Sequence, residues 1–421
     1  MRRREFVHSL AGFASLGLIS SCRTMPAVRQ RVVVVGGGFG GATCARFLKQ
    51  MNPALAVTLI EPKQQYVACP FSNLVIGGLR SPALQTFNYA SLLDAGIVKL
   101  NLSATGVDPE KKRVELGSGD AIFYDRLVLA PGIRLDFAAL PGYSQDAINR
   151  MPHAWQSGGQ MLLLAEQLTA MPDGGTVVMA VPENPYRCPP GPYERASLIA
   201  HYLKDHKPRS KVVLLDAKDR FSKQSLFESA WQRFYPGRIE WHGRSDGARV
   251  VSVNAADMSL ETDFDRVRGD VVNVIPPQKA GLIAERADLT DASGWCPVDA
   301  ASFASVRHAD IHVIGDAAVA NAMPKSAFAA NAQAKLCALQ VTRLLRGEPP
   351  VTGKLMNTCY SLVSPDYGIS VAGVYRADGS RWAAIDGAGG VSPLVASDEF
   401  RSLEADYARS WFSAITREAF G

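Results

Sequence analysis

Four consecutive β-branched residues, Val32-Val33-Val34-Val35, run without a break into Gly36-Gly37-Gly38-Phe39-Gly40-Gly41. Such an apolar run is the pattern of a strand buried on both faces of a parallel sheet. Gly36, Gly38 and Gly41 fit G-x-G-x-x-G directly after that strand. The first glycine permits a tight turn, the second lets the backbone approach a pyrophosphate, and the third lets a helix pack closely on the strand. A helical segment follows through about Gln50, then a second strand from Ala56 to Ile60. Glu61 closes that strand about 20 residues after Gly41, where an acid accepts hydrogen bonds from a ribose. Amides at the helix N-terminus face the phosphates. A lone glycine motif would be weak; strand, helix, second strand and acid together specify a dinucleotide site.

The same alternation recurs. Strands are expected from Arg126 to Leu129, ending at Ala130-Pro131-Gly132, and from Ile311 to Ile314, ending at Gly315-Asp316. Between them Thr176 to Val181, a helix from about Tyr193 to His206, and Lys211 to Leu215 form a second β-α-β unit. This predicts two doubly wound α/β modules, the second inserted into the first. After Pro349-Pro350 the alternation stops, and a separate C-terminal domain with a final helix near Asp398 to Phe412 is expected.

Ala130-Pro131-Gly132 resembles the A-T-G turn of two-dinucleotide-fold flavoproteins, and Gly315-Asp316 resembles their second flavin contact, in which the aspartate meets the ribityl chain. FAD is therefore preferred to NAD, with Ala130, Gly132, Gly315 and Asp316 as contacts; Asp316 also reads as a helix N-cap. In the second module the corresponding turn is Val181-Pro182-Glu183-Asn184-Pro185-Tyr186-Arg187-Cys188-Pro189-Pro190-Gly191-Pro192. Its prolines remove backbone donors and its bulk blocks a pyrophosphate, so NADH binding is not expected there. Cys188 precedes a helix, whose dipole and backbone donors favour a thiolate; the alternative is a small residue packed among prolines.

Of 421 residues 47% are hydrophobic and 20% charged, so disorder and a polytopic membrane protein are poorly supported. Arg2, Arg3, Arg4 and Arg23 against Glu5 account for +3 of the net charge of +5, so nucleic-acid binding has no electrostatic support. Arg3-Arg4 before the short apolar stretch Leu10 to Ile19 reads as a twin-arginine export signal, placing the mature protein in the periplasm. Ile19-Ser20-Ser21-Cys22 resembles a lipoprotein box, so either Cys22 carries a lipid, the one route to a membrane, or cleavage falls near Ala27. Seven cysteines are an odd number, and seven histidines show no metal-ligand spacing, so no metal is expected.

Longer runs carry a more specific resemblance: Tyr66-Val67-Ala68-Cys69-Pro70, Arg187 to Ala196, Gly294-Trp295-Cys296-Pro297-Val298-Asp299, Met323-Pro324-Lys325-Ser326 and Asn357-Thr358-Cys359-Tyr360. With Val32 to Gly41 they resemble the flavoprotein subunit of flavocytochrome c sulfide dehydrogenase across essentially the whole mature chain. The resemblance implies two glutathione-reductase-like modules plus a C-terminal α+β interface domain. The expected boundaries are an export signal over 1–27, an FAD-binding domain over 28–150 and 271–350, a second nucleotide-type domain over 151–270, and the interface domain over 351–421. It further implies that Cys69 is joined to the flavin 8α-methyl by a thioether, that Cys188 and Cys359 form a redox-active disulfide over the flavin, and that Glu194 lies beside it. Glu194 then exchanges a proton with hydrogen sulfide, or simply serves as an acid in a helix first turn.

Sulfide would be oxidised to zero-valent sulfur or polysulfide. No C-x-x-C-H occurs in the chain, so a separate c-type cytochrome subunit is implied as acceptor, with the segment beyond Leu355 as its docking surface. Cys44 and Cys337 read as buried thiols, Cys296 has no assigned chemistry, and Lys325 is a candidate to stabilise reduced-flavin charge. The competing readings are a sulfide:quinone oxidoreductase, an NADH-dependent reductase, and a flavin-binding scaffold or chaperone without sulfide turnover. The C-terminal helix, with Arg401, Glu404, Asp406 and Arg409, is expected to be solvated rather than membrane-seated.

Overall fold

The computed structural model describes residues 29–156 and 158–421; the export and lipidation readings on Arg3, Arg4 and Cys22 lie outside them. The fold is α/β. Five parallel strands form the first sheet in the spatial order Ile311–Val313, Arg126–Leu129, Arg31–Val35, Ala56–Ile60, Val98–Leu100. The valine strand is central, with Val32 to Val35 at most 6% exposed, which is why it is apolar on both faces. The Phe39–Met51 helix follows at once. A Cβ on Gly41 would stand 1.8 Å from the Gly36 carbonyl oxygen, so only glycine lets this helix lie against its strand.

The chain leaves this sheet after Leu129 and returns at Ile311. In between, Ile239–His242, Lys211–Asp216, Thr176–Val181 and Val271–Val274 form a second parallel sheet in that order. The helix of this module spans Gly191–His206, two residues earlier than Tyr193, because Pro190 and Pro192 sit at its cap and first turn, where a missing N–H costs nothing. The long Ala327–Leu345 helix is capped by Ser326, whose Oγ accepts from the Ala329 N–H at 3.0 Å. It packs on the first helix, where Cys44 and Cys337 are fully buried against each other.

The C-terminal part is an antiparallel sheet, Lys354–Ser364, Tyr367–Asp378 and Arg381–Ala384, covered by the helix Asp398–Phe420. That helix runs eight residues past the expected end at Phe412. Arg417 and Glu418 interrupt the apolar pattern in sequence, but Phe412, Ile415, Ala419 and Phe420 make one buried stripe. Arg401 and Glu404 are also buried rather than solvated: they pair at 2.9 Å, while Asp406 and Arg409 form the exposed pair. Val33, Met179, Val363, Trp382 and Phe420 belong to one continuous core, so the C-terminal sheet shares its apolar interior with both modules. Among the described residues no helix is long and apolar enough to cross a membrane.

Candidate active site

A cavity of about 380 Å³ opens where the strands of the first sheet end, the usual ligand crevice of an open α/β sheet. Gly36, Glu61, Ala130 and Gly315, all just beyond strand ends, line it, as do Gly38, Gly132 and Asp316. Gly41 alone among the predicted dinucleotide-binding residues does not, because its role is the helix–strand contact. Gly36 has φ 98°, and a Cβ there would lie 2.3 Å from the Ala130 carbonyl oxygen, which locks the two turns together. Glu61 is fixed at the wall: Gly37 N–H donates to Oε2 at 2.8 Å and Lys63 N–H to Oε1 at 2.9 Å.

These residues fit FAD. A Cβ on Gly38 would meet only ordinary contact, 3.5 Å to Tyr66, so the protein itself leaves room in front of the first helix. That helix begins without a side-chain cap, leaving its N-terminal amides toward the cavity. Asp316 Oδ1 is buried without a hydrogen-bond partner, the acceptor a ribityl hydroxyl requires. Asp316 does not cap a helix; it sits within a single 3₁₀ turn, Gly315–Ala317. Burial raises its pKa, opposed by the charges of Arg187 and Lys325.

The other side of the cavity carries the sulfur atoms. Cys69 lines it, with Sγ 3.9 Å from the Trp155 carbonyl oxygen. Cys188 and Cys359 line it too, as thiols without a bond between them, and near enough that charge on Cys359 raises the Cys188 pKa. Cys188 has left-handed backbone, φ 59°; its N–H donates to Lys325 O at 2.8 Å and its carbonyl accepts from Gly191 N–H at 2.8 Å. Glu194 stands in the first turn of the following helix, accepting from Asn73 Nδ2 at 2.8 Å and from the Leu362 N–H at 2.9 Å.

The thiolate expected at Cys188 is not what this environment favours. Burial, then the charges of Cys359 and Glu194, push its pKa up, outweighing Arg187 and Lys223. Burial likewise raises the Cys359 thiol, partly offset by the Asn357 amide and Lys223, and raises Glu194 against its two hydrogen bonds. Lys325 does not face the cavity. Its ammonium donates to the carbonyls of Asp316 at 2.7 Å and Ala318 at 2.9 Å and lies 3.8 Å from the Trp295 ring centroid.

Sequence reasoning missed the groups that hold the site. Arg195 is 2% exposed and donates to Asn73 Oδ1 at 3.0 Å, to Asn273 Oδ1 at 2.8 Å and to the carbonyls of His153 and Ala154, so it orients the amide that orients Glu194. Arg187 donates to the Trp155 carbonyl and lies 3.9 Å from Asp316 Oδ2. The only signal was the pair of arginines inside the run Arg187 to Arg195, a pattern that usually marks a solvated face. In the second module, Asp216 ends the second strand but is fully buried. It accepts from Tyr193 Oη at 2.5 Å, Trp241 Nε1 at 3.0 Å and Lys218 Nζ at 2.6 Å, so the acid that would meet a ribose is already spent. Among the described residues no cluster of His, Cys, Asp and Glu is arranged to hold a metal.

Three family models match: Pyridine nucleotide-disulphide oxidoreductase over 30–160, Sulfide dehydrogenase [flavocytochrome c] flavoprotein chain, central, over 161–276, and Flavocytochrome c sulphide dehydrogenase, flavin-binding, over 351–420. The sulfide dehydrogenase [flavocytochrome c] flavoprotein chain of Chlorobaculum thiosulfatiphilum is 61% identical over 46 residues, 11% of this chain and 96% of that sequence. The mitochondrial sulfide:quinone oxidoreductase of Mus musculus is 21% identical over 350 residues, 76% of this chain and 72% of that one. Among solved structures, the sulfide:quinone oxidoreductase of Aquifex aeolicus superposes with a TM-score of 0.70 at 19% identity, covering 92% of each chain.

Proposed function

The chain belongs to the flavoprotein-chain family of flavocytochrome c sulfide dehydrogenase and is a flavin oxidoreductase acting on sulfide, and from that premise we propose a redox disulfide, covalent FAD and a c-type cytochrome acceptor. The observation that carries this reading is the meeting of Cys188, Cys359 and Glu194 with the dinucleotide cradle in one cavity. FAD held by Gly36, Gly38, Glu61, Ala130, Gly132, Gly315 and Asp316 supplies an acceptor that takes an electron pair and releases it singly. Cys69, which lines the same cavity, would hold the flavin covalently through a thioether.

Cys188 and Cys359, joined as a disulfide, receive the hydrosulfide. Attack on one sulfur makes a persulfide and leaves the other as a thiolate. Glu194, which lines the same cavity with its carboxyl held by Asn73 and the Leu362 amide, takes a proton from hydrogen sulfide. Buried Trp155 and half-buried Trp411 wall the cavity and limit the access of bulk water to the persulfide. The persulfide sulfur departs as zero-valent sulfur or to a second sulfide.

The spent Asp216 and the proline-filled turn of the second module support sulfide rather than NADH as the reductant. Export by the twin-arginine route to the periplasm would put the protein beside a soluble cytochrome. The alternative is a sulfide:quinone oxidoreductase, favoured by the similarity of fold. The test is anaerobic sulfide reduction of the flavin followed by addition of oxidised cytochrome c or a short-chain quinone. Rapid reoxidation by cytochrome supports the proposal; rapid quinone reduction with no transfer to cytochrome overturns it.

A further inference from the structure

Lys223 is a buried charge with no carboxylate in contact. It stands at the cap of the Gln224–Phe234 helix in left-handed backbone, φ 65°, and is 7% exposed. Its ammonium donates to three neutral acceptors: Cys359 O at 2.9 Å, Ser361 Oγ at 2.8 Å and Ile369 O at 3.3 Å. A cation solvated only by dipoles in a dry interior is costly unless negative charge develops nearby. The ionisable groups facing it are Cys359 from the Lys354–Ser364 strand, Glu194 from the Gly191–His206 helix, Cys188 from the loop before that helix, and Glu404 from the C-terminal helix.

Glu404 is engaged with Arg401 at 2.9 Å and with the Ser370 hydroxyl at 2.7 Å. Glu194 already accepts on both oxygens. The sulfur atoms remain, and they are not equivalent. Cys359 Sγ receives the Asn357 amide at 3.3 Å, and Asn357 is held by the Ser326 hydroxyl. Burial lowers the Lys223 pKa to about 8, with the charge of Cys359 the largest influence holding it up.

We propose that Lys223 is the positioning residue that stabilises negative charge on Cys359 when the sulfur pair opens. Together with the Asn357 amide it makes Cys359 the departing sulfur and Cys188 the one attacked. Hydrosulfide forms a new S–S bond to Cys188, and the Cys188–Cys359 bond breaks with its electron pair left on Cys359. The proton of the hydrosulfide stays on the terminal persulfide sulfur, and the disulfide is the oxidant. The assignment rests on the reading of Cys188 and Cys359 as the redox pair.

The experiment is iodoacetamide alkylation of the thiol-reduced, full-length holoprotein from pH 6 to 10, scored separately at each cysteine by mass spectrometry. In Lys223→Met the Cys359 midpoint moves up by about one unit, a tenfold loss of thiolate below the midpoint, and Cys188 moves less. Lys223→Arg restores the wild-type midpoint. If Lys223→Met does not retain FAD, Lys223→Gln, which keeps a donor and loses the charge, carries the same expectation. Unchanged midpoints, or equal movement at both cysteines, overturn the assignment. Because no sulfide is used, a wild-type protein whose flavin is not bleached by sulfide overturns the sulfide reading separately.

Discussion

Cys188, Cys359 and Glu194 come from a loop, a strand and a helix first turn, and the cysteines are expected to fail differently from the carboxylate when altered. Cys188→Ser and Cys359→Ser are expected to retain FAD while losing sulfide-driven flavin bleaching, read by anaerobic absorbance; normal bleaching in both removes the disulfide mechanism. Burial holds the Glu194 proton to higher pH than in a free glutamate, so the base form appears only as pH rises through that raised pKa. Sulfide oxidation should therefore show an acid limb centred above the ordinary carboxylate range. Glu194→Gln should abolish that limb and lower kcat/KM by about 10²-fold. The cysteines and Glu194 were legible because each lies in a long distinctive run. Lys223 was not: the carbonyl and hydroxyl it holds are 136 and 138 residues away, and nothing in its local sequence points to them.

At the scale of elements, the glycine fingerprint was legible almost to the residue, because steric necessity acts locally. Gly41→Ala places a carbon 1.8 Å from the Gly36 oxygen, and an overpacking cost of about 1–3 kcal/mol with loss of FAD retention is expected, measured by urea unfolding and flavin content. The end of the last helix was illegible for the opposite reason. Glu418 looks like a solvated charge, yet it bonds Lys335 at 2.7 Å and Asn331 at 2.8 Å while the adjacent face stays apolar. Phe420 stacks on Tyr66 at 4.9 Å and on Phe87 at 5.5 Å between centroids. Phe420→Ala should cost about 3–5 kcal/mol, visible as a lower thermal midpoint. Arg401 and Glu404 misled in the same way, since a charged pair reads as surface until its burial is known.

For the whole molecule, two doubly wound modules, the second inserted into the first, were legible from the β-α-β alternation, and FAD from the turns Ala130-Pro131-Gly132 and Gly315-Asp316, whereas the order of strands was not. The merging of the C-terminal sheet with the main core was not legible either, because shared burial is a property of three-dimensional packing. Intact mass under denaturing conditions should retain a flavin increment that Cys69→Ala loses; release of all flavin from the wild type would remove the thioether. The aromatic cluster at Phe420 also reaches Phe39, the first residue of the helix that faces the cofactor, at 5.6 Å. The cradle encoded by Gly36 to Gly41 is thus braced by a side chain 381 residues beyond Phe39. The glycine turn is therefore local in sequence but long-range in its support: until the Asp398–Phe420 helix has docked, the cradle lacks this brace.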